Sequence, residues 1–100
     1  MKKITIEGKF SGPVNKYVVL DVFRPNGSAS PYDFKKTYND SFKETLQDLD
    51  AGLTYNIDFS GYSADKFDLT ISGEFENPNP ITDSFDAGSF SPGYAIHTTP

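Results

Sequence analysis

The sequence has no cysteine, no tryptophan, one methionine and one histidine in 100 residues. Without cysteine there is no disulfide framework, no thiolate zinc site and no sulfur nucleophile, and nothing marks a redox compartment. Clustered basic charge is missing as well: nine Lys and Arg against fourteen Asp and Glu give a net charge of -5 and a pI of 4.6. The only adjacent basic pairs are Lys2-Lys3 and Lys35-Lys36. Binding to a polyanion draws on dense Lys and Arg, so nucleic acid is not expected as a partner. No apolar run approaches the roughly 18 residues of a spanning helix, so membrane insertion is not expected. At the amino end, Glu7 and Gly8 interrupt the chain before an apolar stretch of about 7 to 15 residues develops, and no signal peptide is read there. Neither a Gly-x-Ser-x-Gly elbow nor a glycine-rich phosphate loop is present, and His97 near the carboxyl end reads as a solvent-exposed bystander. The expectation is a protein that is not an enzyme and needs no cofactor.

What is present is a repeating two-residue alternation. The length admits one domain with a single modest core, and size scaling gives it about 5,600 Å² of folded surface. Ile4, Ile6 and Phe10 share one parity, then Val18, Leu20 and Val22, then Leu53, Tyr55, Ile57 and Phe59, then Phe67, Leu69, Ile71 and Phe75. A period of two buries one side of an extended chain and wets the other. Tyr32 to Tyr38 reads as an edge strand whose lysines discourage pairing with another chain. Ile81 to Phe85 reads as one more short strand. The runs around Ile57 and Leu69 look like two arms of a long antiparallel hairpin turning at Gly61 to Asp65.

One stretch admits two readings. Phe42, Leu46 and Leu49 fit a helical face, with Ser41 and Glu44 as a capping box and Gly52 as the stop. Phe42, Glu44 and Leu46 also fit a strand, which is the favoured reading over one short helix at 41–49. Asn77-Pro78-Asn79-Pro80 cannot sit inside a sheet. Turn signals every 8 to 15 residues then imply an all-β fold, a single antiparallel β-sandwich of six to seven strands, prealbumin-like or Ig-like, over residues 1–86. Residues 87–100, rich in Gly, Ser, Pro and Thr, read as a carboxyl-terminal tail, partly docked or flexible.

Leu49-Asp50-Ala51-Gly52-Leu53-Thr54-Tyr55-Asn56-Ile57 resembles the signature that ends one strand and opens the next in prealbumin-like, carboxypeptidase regulatory-like domains. Asn39-Asp40-Ser41-Phe42 is similar to their Asp-Gly-x-Phe turn, with Ser41 where those domains carry glycine. Ser60-Gly61-Tyr62 resembles the Gly-Tyr that follows. The resemblance spans residues 4–75 and implies a non-catalytic structural or protein-interaction module of an exported or cell-surface protein, its partner a neighbouring domain or another protein.

Three chemistries are weighed beside it. Sugars bind by stacking on aromatic faces, which makes Tyr32, Tyr38, Tyr62 and Tyr94 the candidate ligand-binding residues of a carbohydrate-binding alternative. Asp65 with Asp68, or Asn77, Asn79, Asp83 and Asp86, offer oxygen ligands but match no calcium-loop spacing and read as solvated acids, so no metal is expected. Lys3 or Lys9 could be joined covalently to an amide or acid near Asn77 to Asp86, though no spacing requires it.

Overall fold

Alternation becomes strand wherever the sequence carries it. The computed structural model describes all 100 residues, Met1–Pro100. Nine strands follow in order: β1 (Lys2–Phe10), β2 (Lys16–Phe23), β3 (Asp33–Tyr38), β4 (Phe42–Leu49), β5 (Thr54–Ser63), β6 (Phe67–Gly73), β7 (Ile81–Phe85), β8 (Gly88–Phe90) and β9 (Gly93–His97). They form two antiparallel sheets, β4-β1-β6-β7 and β3-β2-β5 with β8 and β9 side by side along the far edge of β5. The protein is all-β and sandwich-like, with nine strands where six to seven are expected. Its surface of 5474 Å² matches the size scaling.

The two inner faces make the core. Ile4, Ile6 and Phe10 of β1, Leu46 and Leu49 of β4, and Phe67, Leu69 and Ile71 of β6 face Val18, Leu20 and Val22 of β2 and Tyr55, Ile57 and Phe59 of β5. Fully burying each large side chain contributes about 1.5–3 kcal/mol, so these strands carry most of the stability.

Segment 41–49 is a strand, and the helical alternative does not form. Its ambiguity has a local cause: Lys2 pairs with Leu49 and Ile4 with Leu46, so β4 spends three residues where β1 spends two. Such a bulge re-aims the chain by one residue and brings both leucines inward. The resulting i, i+3 spacing imitates a helix.

The expected hairpin of β5 with β6 is replaced by a crossing. β5 pairs with β2 in one sheet and β6 with β1 in the other, so Ala64 to Lys66 bridge the layers. Ala64 N–H donates to Asn15 O (3.1 Å) and Ser11 N–H to Lys66 O (2.9 Å), tying this crossing to the one between β1 and β2. Inward alternation is identical for paired strands and for strands facing across a core, so the pattern alone does not tell them apart.

The stretch read as a tail supplies two strands. Phe90 and Ile96 enter the core, and Phe90 stacks on Phe67 with ring centroids 4.7 Å apart. Gly61 leaves the space for it: a Cβ there would stand 2.2 Å from Tyr17 O and 3.0 Å from the Phe90 ring. Beyond β9, Thr98 is fully buried. Its hydroxyl donates to Asp50 O (2.6 Å) and accepts from Leu53 N–H (2.9 Å), while its own N–H reaches Leu53 O (2.9 Å). Phe75, past the end of β6, bridges to the same residue.

Thr98→Val removes that hydroxyl and leaves a partly buried donor, Leu53 N–H, and acceptor, Asp50 O, without it in the β4–β5 turn. A loss of about 1–3 kcal/mol is expected in urea unfolding; an unchanged midpoint would mean the chain end is a passive tail.

Candidate interaction face

Two sheets packed face to face leave an open seam along each long side, and tyrosines close both. On the β3 and β4 side, Tyr32 donates its hydroxyl to Asp48 Oδ1 (2.8 Å) and Tyr38 donates to Glu44 Oε1. Tyr38 also stacks flat on Phe42, centroids 3.9 Å apart, and Gly8 of β1 makes room for the Phe42 ring. On the opposite side, Tyr94 of β9 donates to Asp83 Oδ2 of β7 (2.7 Å). Each bond joins one sheet to the other. Burial, then the hydrogen bond to the carboxylate, then its negative charge, push all three phenols well above the ordinary tyrosine value of 10.0.

A fourth tyrosine works inside the fold. Tyr55 is buried, and its oxygen accepts Asp50 N–H (2.8 Å), pinning the turn between β4 and β5.

Tyr17 and Tyr62 differ from these four. They sit directly opposite each other on β2 and β5, point outward, and make no hydrogen bond through their hydroxyls. They are 44% and 39% exposed, and with Val14 (61%) they are the most exposed large apolar residues after Met1. Of the four tyrosines expected to meet a ligand, three are spent on the seams and only Tyr62 is free. Tyr17 is not among the expected four because its sequence neighbours read as mid-strand, whereas those of Tyr62 read as a turn.

The outer faces of the two sheets contrast. On the β4-β1-β6-β7 sheet, Glu7 stands opposite Lys43, Lys9 opposite Asp68, and Thr5 bonds Thr45 across the strands (3.3 Å). Opposite charges and hydroxyl pairs in register stabilise a wet face. On the β3-β2-β5 sheet, Val19 and Phe23 are half-buried, Tyr17 faces Tyr62, and Asp21 faces Asp58, with Lys35 on the other flank of Asp21. Like charges directly opposite are destabilising.

Of the remaining candidates, Asp65, Asp68 and Asn79 serve the fold. Asp68 accepts from Ser84 Oγ (2.5 Å), Asp65 from Lys66 N–H (2.9 Å), and the Asn79 amide donates to Gly73 O and Phe75 O. No three His, Cys, Asp or Glu side chains gather as a metal site would require. Lys3 and Lys9 are exposed, and β6 separates their strand from β7, which holds Asp83. His97 is exposed but lies in β9, its Nδ1 3.0 Å from Thr54 Oγ1. Comparison with known protein families, curated proteins and solved structures finds no match.

The seam bonds have a pH signature. Folded phenols hold protons that unfolded ones release, so the stability they add is whole below pH 10.0 and drains as pH rises past it. Urea midpoints measured from about pH 8 to about pH 11 should fall, and less steeply in Tyr94→Phe than in the wild type. Equal slopes would remove the seam from the account.

Proposed function

We propose that this chain is a non-catalytic β-sandwich module that works by binding, with the outer face of the β3-β2-β5 sheet as its contact surface and a neighbouring domain or another protein as its partner. The observation that carries this is the contrast between the two outer faces. One is satisfied within itself. The other exposes two unbonded tyrosines beside an acid pair that only Lys35, on one flank, offsets, and tyrosine is a residue interfaces favour because it adds area at small entropic cost. A partner bringing positive charge would relieve Asp21 against Asp58 and stack on Tyr17 and Tyr62.

The resemblance to prealbumin-like domains agrees with this reading and implies an exported or cell-surface setting. Support comes from the signature segment itself: Leu49 ends β4, Thr54 opens β5, and Tyr55 secures the turn between them. A glycan is the second reading, favoured by the same pair of free phenols.

A photo-reactive phenylalanine analogue at position 62 should capture one predominant protein from the native extract, and the same analogue at Thr45, on the other outer face, should not. With the analogue at Ser60 instead, exposed on the same outer face two residues from Tyr62, capture should persist in the otherwise unchanged chain and be abolished by Tyr17→Ala with Tyr62→Ala, each change moving stability by no more than about 0.5 kcal/mol. Equal capture from the two outer faces would overturn the proposal, and retention on a glycan array lost in the double variant would move it to the second reading.

A further inference from the structure

Arg24 is the chain's only arginine, and the fold holds it still without neutralising it. It follows β2 directly. Its Nε–H donates to Thr54 O (2.7 Å), an Nη1–H donates to Ser30 O (3.2 Å), and its Cζ lies 5.4 Å from the centroid of the Tyr55 ring. A guanidinium carries five N–H donors, so three remain. Lys2, Lys16, Lys36 and Lys66 each reach an acid within 4.0 Å; Arg24 reaches none. In a protein of charge -5, a half-buried cation fixed at three points with no carboxylate within 4.0 Å is an unspent resource.

That resource borders a cleft. The loop after β2 turns at Pro25 to Ser28, closed by Ser28 N–H to Pro25 O (3.2 Å), with Gly27 at φ 82° as the third residue of a type II turn requires. Asn26 has no side-chain hydrogen bond, and the N–H groups of Asn26 and Gly27 donate to nothing in the protein. With Arg24, Tyr32 and Pro31 these residues line an open cleft of about 220 Å³, its walls part polar and part apolar. Drug-sized ligands occupy pockets of about 300–1,000 Å³, so this one suits a smaller guest, the size of one sugar unit.

We propose that the cleft binds a small hydroxylated carboxylate, a sugar acid or a hydroxy acid. The planar fork of a guanidinium matches a carboxylate with two parallel hydrogen bonds, and the pre-set position of Arg24 spares the entropy of ordering it. A doubly charged phosphate would call for a second cation, and the cleft has none. The amide of Asn26 and the free N–H groups of the turn are the partners for hydroxyls. The hydroxyl of Tyr32 is committed to Asp48, so its ring is the wall it offers. This site lies at the opposite end of β2 from Tyr17, about seven residues or roughly 23 Å away, and stands or falls apart from the interaction face.

Backbone amide shifts on titration with sodium glucuronate test it, with glucose, sodium lactate and sodium acetate as parallel arms. Saturable shifts of Asn26, Gly27 and Ser28 are expected with glucuronate or lactate, and those two arms tell the sugar acid from the simple hydroxy acid. Glucose should leave the cleft unchanged and acetate should bind at least fivefold more weakly. Asn26→Asp sets a repelling charge in the cleft without breaking any bond of the fold, and should weaken binding at least tenfold. Arg24→Lys keeps the charge but loses the fork, and should weaken it about as much. Silence of the cleft amides, equal response to glucose or acetate, or wild-type affinity in Asn26→Asp would overturn the proposal.

Discussion

A sandwich of two sheets exposes its core along both long sides unless something bridges the layers, and here that something is a phenol on one sheet paired with a carboxylate on the other. The chemistry suits the place. A tyrosine ring is long and apolar enough to lie over the core margin while its hydroxyl reaches a wet acid beyond. A lysine in that role would keep its charged end hydrated and leave the margin thinly covered. Tyr32 and Tyr38 close one seam, and Tyr94, backed by Phe85 on Phe90, closes the other.

The second seam depends on the chain reaching its end. β5 has β2 on one flank, and its other flank is covered only by β8 and β9. Without them Phe59 and Phe67 would lose Tyr94 and Phe90 from above. Thr98 then fastens the last strand to the β4–β5 turn, the same turn that Tyr55 holds from inside. Sequence-distant segments are therefore joined at one end of the sandwich, and the contacts that complete the core are those made by the final residues.

This explains which parts were legible beforehand. Half-buried strands announce themselves, so β1, β2, β5 and β6 and nearly all of their inward residues follow from alternation. β4 was ambiguous because its bulge breaks the period between Leu46 and Leu49. β8 and β9 are three and five residues long, each opening on a Gly, too short to carry a period, and Phe90, Tyr94 and Ile96 are the only trace of them in the sequence. The partnership of β5 with β2 rather than β6 is a choice between sheets, to which the side-chain pattern is blind. Tyrosines at turns and edges read as exposed, but whether such a ring faces solvent depends on an acid many residues away. Asp48 lies sixteen residues from Tyr32 and Asp83 eleven from Tyr94, with nothing in their spacing to connect them.

What the fold does not consume is the better guide to what the molecule is for. Four of six tyrosines have their hydroxyls engaged within the fold, and several loop acids and amides fasten turns or neighbouring strands. Tyr17, Tyr62 and the three spare donors of Arg24 are left over. A surface under no demand beyond solubility would be expected to resemble the outer face of the β4-β1-β6-β7 sheet, with charges of opposite sign in register and threonines between them. The other sheet keeps opposed aspartates, eased on one flank by Lys35, and open aromatic rings instead, at a cost its own contacts recover only in part. That cost is recovered if another molecule supplies what the face lacks, and the residues that bear it, at the two ends of β2, are the ones in which binding would be felt first.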